Sequence, residues 1–182
     1  MIFEPFKPYL SAEFQVKRAT EAWEQQGAAR LRRSVFCTEQ GIFQGDDRDG
    51  IDASAIPLVA LAMMGVAAED VVGTVRIHRD TTESDTWLGS RLAVAPTYRR
   101  LGAVGVGLIQ LAVSSAHALG CRRFVAHVQS QNVLLFQRMH WRSLGEVEFH
   151  GRPHHHMEAD LAHYPPCGTP EIGFLSLPKL AA

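Results

Sequence analysis

The stretch from Ser90 to Gly120 constrains this chain most, because it joins a strand, a glycine-containing loop and a helix. Residues 90–95 read S-R-L-A-V-A, which predicts a strand that ends at Pro96, since proline cannot donate to a sheet ladder. From Val104 onwards apolar residues recur at helical spacing, and glycine closes the segment as a C′ residue. The segment therefore places a loop and a helix N-terminus directly after a strand.

The loop in this segment indicates an anion site. It carries two arginines and is followed by closely spaced glycines, namely Arg99, Arg100, Gly102, Gly105 and Gly107. The first N–H groups of a helix lack internal partners, glycine lets a ligand approach the backbone, and arginine adds fork-shaped donors. A phosphate or pyrophosphate is the expected guest. The order G-x-x-G-x-G matches neither a P-loop nor a Rossmann fingerprint. The alternative is that the glycines only permit close packing of helix on sheet.

Composition narrows the functional classes. A chain of 182 residues with 46% hydrophobic residues predicts one globular domain. The net charge of −1 argues against nucleic acid as a partner. Three widely spaced cysteines are typical of reduced thiols in a cytoplasmic protein, and no apolar run is long enough to predict a membrane span.

The remaining apolar patterns predict a fold of the α/β (α+β) class. A helix is expected from Thr20 to about Gly41, and strands are expected near residues 13–18, 57–64, 71–78, 87–95, 123–129, 143–149 and 156–161. Short turns make the second to fourth strands an antiparallel meander, and a right-handed crossover sets the fifth strand parallel to the fourth. The prediction is a mixed, mostly antiparallel sheet of about seven strands flanked by helices. A splay between strands four and five would open a slot beside the glycine loop.

The residues V-A-P-T-Y-R-R-L-G resemble the acetyl-CoA-binding motif of the GCN5-related N-acetyltransferases (GNAT), V-x-P-x-x-R-x-x-G-x-G/A. Val94, Pro96, Arg99 and Gly102 fall on this pattern, whereas Val104 departs from it. The resemblance implies a GNAT-type domain over residues 1–165, a tail over 166–182 that packs on the domain or on a partner subunit, and acetyl-CoA as co-substrate. It also implies that the loop amides hold the pyrophosphate and that the preceding strand pairs with pantetheine. The cofactor-binding residues implied here are Leu92, Ala93, Val94, Arg99, Arg100, Leu101, Gly102, Ala103, Val104 and Gly105.

A second segment, S-Q-N-V-L-L-F-Q-R-M-H-W, resembles the family ending N-x-x-A-x-x-L-Y-x-x-x-G-F. Gln129 or Asn132 then takes the cofactor-contacting Asn role. Phe136 stands where the family often has a Tyr that protonates the departing thiolate, and it has no hydroxyl. His140 follows one helical turn later and is a candidate proton donor, or else a satisfied half-buried histidine.

Candidate bases come from three further places. The words V-F-C-T-E-Q and D-D-R-D-G-I-D resemble an acceptor-side segment of several acetyltransferases and of acyl-homoserine-lactone synthases, which makes Glu39 a candidate, although Glu39 and Gln40 could simply end a helix. His154 lies in a P-H-H-H-M turn similar to one that faces the acceptor in some members, and His127 lies on the fifth strand. Adjacent histidines on a strand point to opposite faces, and no zinc spacing is matched, so no metal is expected.

Over roughly residues 4–165 the chain resembles a subfamily of bacterial and cyanobacterial acetyltransferases linked to nitrogen starvation. This resemblance implies a role in nitrogen metabolism beside nitrile- or amine-handling enzymes, and it does not give the acceptor. The GNAT resemblance implies direct transfer of an acetyl group from acetyl-CoA to the amine of an unidentified small molecule, with a homodimer as one form. A base must deprotonate the amine, and backbone N–H groups near Leu92–Val94 polarise the thioester. The alternatives are an acyl-homoserine-lactone-synthase-like enzyme with a longer acyl donor and a non-catalytic CoA-binding module.

Overall fold

The computed structural model describes residues 10–177 and is built on one open, mixed sheet. The strand order is β6-β7-β5-β4-β3-β2-β1-β8. The strands are β1 (Phe14–Arg18), β2 (Ile56–Met64), β3 (Ala67–Arg79), β4 (Thr86–Val94), β5 (Arg123–Gln129), β6 (Trp141–Phe149), β7 (Arg152–Ala159) and β8 (Phe174–Ser176). The helices are α1 (Ala22–Arg32), α2 (Ala103–Ala118) and α3 (Val133–Arg138), and a π-helical segment (Arg33–Glu39) continues α1. Short 3₁₀ turns cover Gly50–Ala53, Pro96–Leu101, Ser130–Asn132 and Leu161–His163.

This architecture confirms the predicted fold class. β2, β3 and β4 form the antiparallel meander, and β5 pairs with β4 in parallel. The sheet has eight strands rather than about seven, because Phe174–Ser176 adds to β1 at the edge. The final hairpin pairs Trp141–Phe149 with Arg152–Ala159, a few residues earlier than the sequence pattern indicated.

The two faces of the sheet are covered by different helices. On one face α2 buries Val104, Leu108 and Leu111 completely against the strands. The helix lies so close to β3 that a Cβ on Gly73 would stand 2.5 Å from Val104 Cγ1. On the other face α1 and the π-helical segment cover Val59 and Ala93 with smaller apolar clusters. The strand ends on this second face carry the polar residues of interest.

A slot opens between β4 and β5. Their parallel pairing runs from Thr86↔Arg123 to Gly89↔Ala126 and stops there. Just beyond it, β4 has a bulge against β3, with Arg91 in the left-handed region at φ 56°. A bulge bends its strand and increases the local twist, which directs the end of β4 away from β5. β5 meanwhile continues to pair with β7 as far as Gln129↔His154.

The described part of the tail packs on the domain. β8 pairs with β1, and the hydroxyl of Ser176 donates to the carbonyl of Ala103 at 3.0 Å. Gly173 leads into β8 at φ 64°, and a Cβ there would lie 1.8 Å from the Val16 carbonyl oxygen, so only glycine fits. The predicted domain limits at residues 1 and 182 lie outside the described range, and packing of the tail on a second subunit stays a prediction. Within residues 10–177, no helix combines the length and apolar character needed to cross a membrane.

Candidate active site

The edge of β4 that faces the slot presents backbone groups without a strand partner. The N–H of Ala95 donates to the Val72 carbonyl at 2.8 Å, towards β3. Backbone groups alternate in direction along a strand, so the N–H and C=O of Val94 and the N–H of Leu92 point into the slot. The carbonyl of Val94 accepts a hydrogen bond from Arg99 Nε at 2.9 Å, which agrees with a carbonyl that points away from β3. An extended ligand with amide groups could pair with this edge as an added strand.

The turn after β4 ends at a helix N-terminus. Gly102 adopts φ 69°, and its carbonyl accepts the first helical bond, from the N–H of Val106 at 3.0 Å. The amides of Ala103, Val104 and Gly105 thus belong to the first turn of α2, where N–H groups have no intrahelical acceptor. The helix dipole favours negative charge at this point. This turn is a suitable place for a diphosphate.

The departure at Val104 has a structural explanation. The residue is fully buried, and its side chain packs against Gly73 on β3 rather than towards the slot. The backbone amide of Val104 therefore keeps its place in the first turn, although the family pattern has Gly or Ala here. Arg100 and Leu101 are exposed at the surface of the same turn.

Arg99 joins this turn to the π-helical segment. Its two terminal nitrogens donate to the two carboxylate oxygens of Glu39 at 2.6 and 2.7 Å. Hydrogen bonding from Arg99 lowers the pKa of Glu39 below its usual range, and the same contact raises the pKa of Arg99. Glu39 is therefore a paired carboxylate in this structure, which makes it a weak proton acceptor.

The next residue, Gln40, reaches the other side of the slot. Its side-chain oxygen accepts from Gln129 Nε2 on β5 at 3.1 Å, and its carbonyl accepts from the guanidinium of Arg152 at the start of β7. Glu39 and Gln40 together, here called the strap, thus connect the β4 side of the slot to the β5 side. π-helical turns are uncommon and occur often at functional sites.

Imidazole and aromatic rings line the face of β5 and β7 that lies on the α1 side. The strand register puts His127, Gln129, His154 and His156 on this face. The ring of His127 stacks on Phe149 at 4.6 Å and 12°, and on His156 at 5.2 Å. Partial desolvation and the neighbouring histidines lower the pKa of His127, although the residue is exposed to solvent. His127 is therefore neutral at pH 7 and can accept a proton.

His154 lies deeper on the same face. It is 5% exposed, and its Nδ1 lies 2.9 Å from the carbonyl oxygen of Arg152. A carbonyl only accepts, so Nδ1 is the donor in this contact. By register His154 is opposite Gln129, whereas His127 directly follows Ala126, the last residue that pairs with β4. His127 is thus nearer to the slot.

An ionic network anchors the acidic turn that follows the strap. Three aspartates meet three arginines from α1, β3 and β4, with contacts as short as 2.6 Å between Arg32 and Asp52 and 2.7 Å between Arg76 and Asp49. The members are Arg32, Arg76, Arg91, Asp47, Asp49 and Asp52. The side chain of Arg91 also lies over the Phe43 ring at 4.3 Å. The aspartates therefore fix this turn to the sheet, which the local sequence did not reveal because the arginine partners lie up to 44 residues away.

One sequence candidate, His140, lies away from the slot. His140 precedes Trp141, which pairs with Ala159, five residues and about 17 Å of strand from His154. It stacks on His163 at 3.6 Å instead, so helical spacing from Phe136 did not bring it to the other candidates. Phe136 is buried edge-on against Trp141 at 5.0 Å, and Asn132 is exposed at the end of a 3₁₀ turn. In residues 10–177, no three His, Cys, Asp or Glu side chains are grouped to hold a metal.

An unpaired strand edge beside a helix N-terminus is the arrangement expected of a protein that binds an acyl-CoA. The sequence model of the Acetyltransferase (GNAT) family matches residues 17–141. The chain belongs to this family, whose members use acyl-CoA as co-substrate. The resemblance at family level is thereby confirmed.

Solved structures share the fold. Escherichia coli ElaA is 18% identical with a TM-score of 0.66, covering 81% of this chain and 98% of that one. An acyl-CoA N-acyltransferase from Pseudomonas aeruginosa is 17% identical with a TM-score of 0.63, covering 81% and 99%. The CoA-dependent acyl-homoserine lactone synthase BjaI, solved with SAM and isopentyl-CoA, is 18% identical with a TM-score of 0.60, covering 75% of each chain. No curated protein sequence gives a significant match to this chain.

Proposed function

We propose that this protein transfers an acetyl group from acetyl-CoA directly to the amine of a small molecule. The observation that carries the proposal is the convergence of the β4 edge, the first turn of α2 and His127 at one slot. In this arrangement the amides of residues 103–105 bind the diphosphate, and the slot-side groups of Val94 pair with pantetheine. The thioester then lies near Leu92, whose N–H polarises its carbonyl oxygen as negative charge develops there.

His127 acts as the base in this proposal. A free amine is mostly protonated at pH 7 and attacks only after it loses a proton. His127 is neutral, clamped between two rings and placed where β5 leaves β4. His154 supports the same face through the contact of its Nδ1 with the Arg152 carbonyl oxygen. The amine attacks the thioester carbon, the C–S bond breaks, and coenzyme A leaves as its thiolate.

The transfer proceeds without a covalent enzyme intermediate. Cys121 is buried, and burial raises the pKa of its thiol to about 11. A thiol with such a pKa is a poor nucleophile at neutral pH. Phe136 has no hydroxyl and cannot protonate the departing thiolate. The thiolate therefore takes its proton from solvent or from His127.

The chain's resemblance to acetyltransferases linked to nitrogen starvation supports a role in nitrogen metabolism, beside enzymes that handle nitriles or amines. We infer a small-molecule amine as the acceptor, and the resemblance does not identify it. A cytoplasmic location and a homodimer are part of the same proposal, and the three cysteines, all free of disulfides, are consistent with a reducing compartment.

A longer acyl donor is the second candidate, and the likeness to BjaI in fold favours it. A non-catalytic CoA-binding module is the third, because Phe136 has no hydroxyl. Calorimetry with coenzyme A, followed by a thiol-release screen of acetyl- and longer acyl-CoA across a panel of amines, separates them. Thiol release from acetyl-CoA with one class of amine supports the proposal. Preference for long acyl-CoA supports the second candidate, and binding without release on any amine supports the third.

A further inference from the structure

Arg99 occupies two positions that an incoming donor would need. Its Nε holds the Val94 carbonyl at 2.9 Å, and this carbonyl is the slot-side acceptor of β4. Its two terminal nitrogens are taken by Glu39 at 2.6 and 2.7 Å. The side chain itself belongs to the turn that precedes the first amides of α2. A donor that pairs with Val94 and places its diphosphate at α2 must therefore compete with these three bonds.

The partner that Arg99 would lose is part of the strap. Glu39 ends the π-helical segment, and Gln40 holds Gln129 and Arg152 on the opposite side of the slot. A change in the contacts of Glu39 therefore affects, through Gln40, the side of the slot where the acceptor would approach His127.

The ion pair between Arg99 and Glu39 is suited to an exchange of partners. The side chains of Arg99 and Glu39 are 38% and 41% exposed, and ion pairs this exposed contribute little to stability. A diphosphate brings more charge and more acceptor oxygens to the same guanidinium than one carboxylate does. When Arg99 turns to the diphosphate, the carboxylate of Glu39 is left without its cation beside the acceptor path.

We propose that Glu39 is a displaceable counter-ion that orders the two substrates. The diphosphate of coenzyme A takes Arg99 from Glu39, and Val94 becomes free for the pantetheine amide. The released carboxylate then attracts the protonated acceptor amine, so the donor binds first and Glu39 is a positioning residue for the acceptor. This inference rests on the proposed function, because it needs coenzyme A in the slot.

The Glu39→Gln variant tests the sign of the effect. Removing the competing carboxylate should lower the Kd of coenzyme A by about two- to fivefold in calorimetry, and it should raise the KM of the acceptor amine several-fold. If Glu39 only supports the turn, coenzyme A would bind more weakly to the variant. An unchanged or raised Kd overturns the inference.

The matched control is Asp46→Asn, which makes the same charge change at an exposed pair with Arg33, 3.0 Å apart and outside the slot. The Kd of coenzyme A should stay the same there.

A crystal structure of the wild-type complex gives a test independent of any variant. Separation of Arg99 from Glu39 beyond 4 Å supports the exchange, and retention of both short bonds contradicts it. Failure of the wild-type protein to bind coenzyme A would overturn the proposed function and the inference together, whereas binding with an intact pair overturns the inference alone.

Discussion

At the scale of single residues, environment separates histidines that look alike in the sequence. His154, His155 and His156 are adjacent, yet His155 is on the face opposite to the other two and contacts the Ser143 hydroxyl at 2.9 Å. His127 comes from another strand and joins the slot face through pairing. Alternation along strands predicted which histidines can share a face. It could not predict the ring stack on Phe149, because that contact depends on the register between β5, β6 and β7.

His127→Gln should lower kcat by about a hundredfold or more, because positioned general bases contribute factors of this size. The KM of acetyl-CoA should change little, since the diphosphate and pantetheine contacts are elsewhere. His154→Gln should cost less than about tenfold, because this residue supports the face without touching the amine. The rate of thiol release gives kcat for both variants and the KM of acetyl-CoA. The control is His155→Gln, on the opposite face. Equal losses for His155→Gln and His127→Gln would contradict the assignment.

The pH dependence of kcat/KM should also reflect His127 as the base. Burial and the neighbouring histidines lower the pKa of His127, so it is deprotonated above that lowered value and becomes protonated only as the pH falls through it. The acid limb of kcat/KM should therefore lie below pH ~6.5, the value for a free histidine. His156→Asn removes one of the neighbouring imidazoles that lower the pKa of His127, so it should move the limb towards higher pH. A limb above 6.5 in the wild-type enzyme would rule out His127 as the base.

At the scale of elements, the slot arises from a strand with two kinds of partner. β4 pairs with β3 from Trp87 to Val94, apart from the bulge, but with β5 only from Thr86 to Gly89. The strand–turn–helix order was predictable because Pro96 and the glycines punctuate it. The bulge at Arg91, the π-helical geometry of Arg33–Glu39 and the three-residue strand β8 were not predictable, since each depends on partners distant in sequence.

Val104→Ala tests the account of the departure from the family pattern. The side chain is fully buried against Gly73, so its truncation should lower the free energy of unfolding by about 1–3 kcal/mol. Coenzyme A should bind as before, because only the backbone amide faces the slot. Urea denaturation and calorimetry measure the two effects. A large loss of affinity without a loss of stability would contradict the assignment of Val104 to the core.

At the scale of the whole molecule, the ionic network fixes the acidic turn across the sheet. Arg76 is 3% exposed and is shared by Asp49 and Asp52. Hydrogen bonds from Arg32, Asp49 and Arg76 outweigh burial and hold the pKa of Asp52 far below its usual range. The sequence showed a turn rich in aspartate, but the arginines that hold it are spread over three elements, and only the tertiary fold brings them together.

Asp52→Asn should lower the free energy of unfolding by about 2–3 kcal/mol, since it leaves buried guanidinium groups with fewer acceptors. Asp46→Asn, at an exposed pair, should cost less than about 0.5 kcal/mol.

Carboxylates with lowered pKa values stabilise the fold above their unfolded values, near 3.8, and lose that contribution as the pH falls through the folded ones. The wild-type protein should therefore lose stability below pH ~4, and Asp52→Asn should lose less. Parallel acid profiles for the two proteins would contradict this account.

The bond from Ser176 to the Ala103 carbonyl has a practical consequence for handling the protein. Purification tags or fusion partners appended after residue 182 would follow Ser176 by only six residues, and Ser176 contacts the first residue of α2. Expression vectors that leave this terminus native, or that carry a cleavable extension there, are the sound choice for measurements of coenzyme affinity.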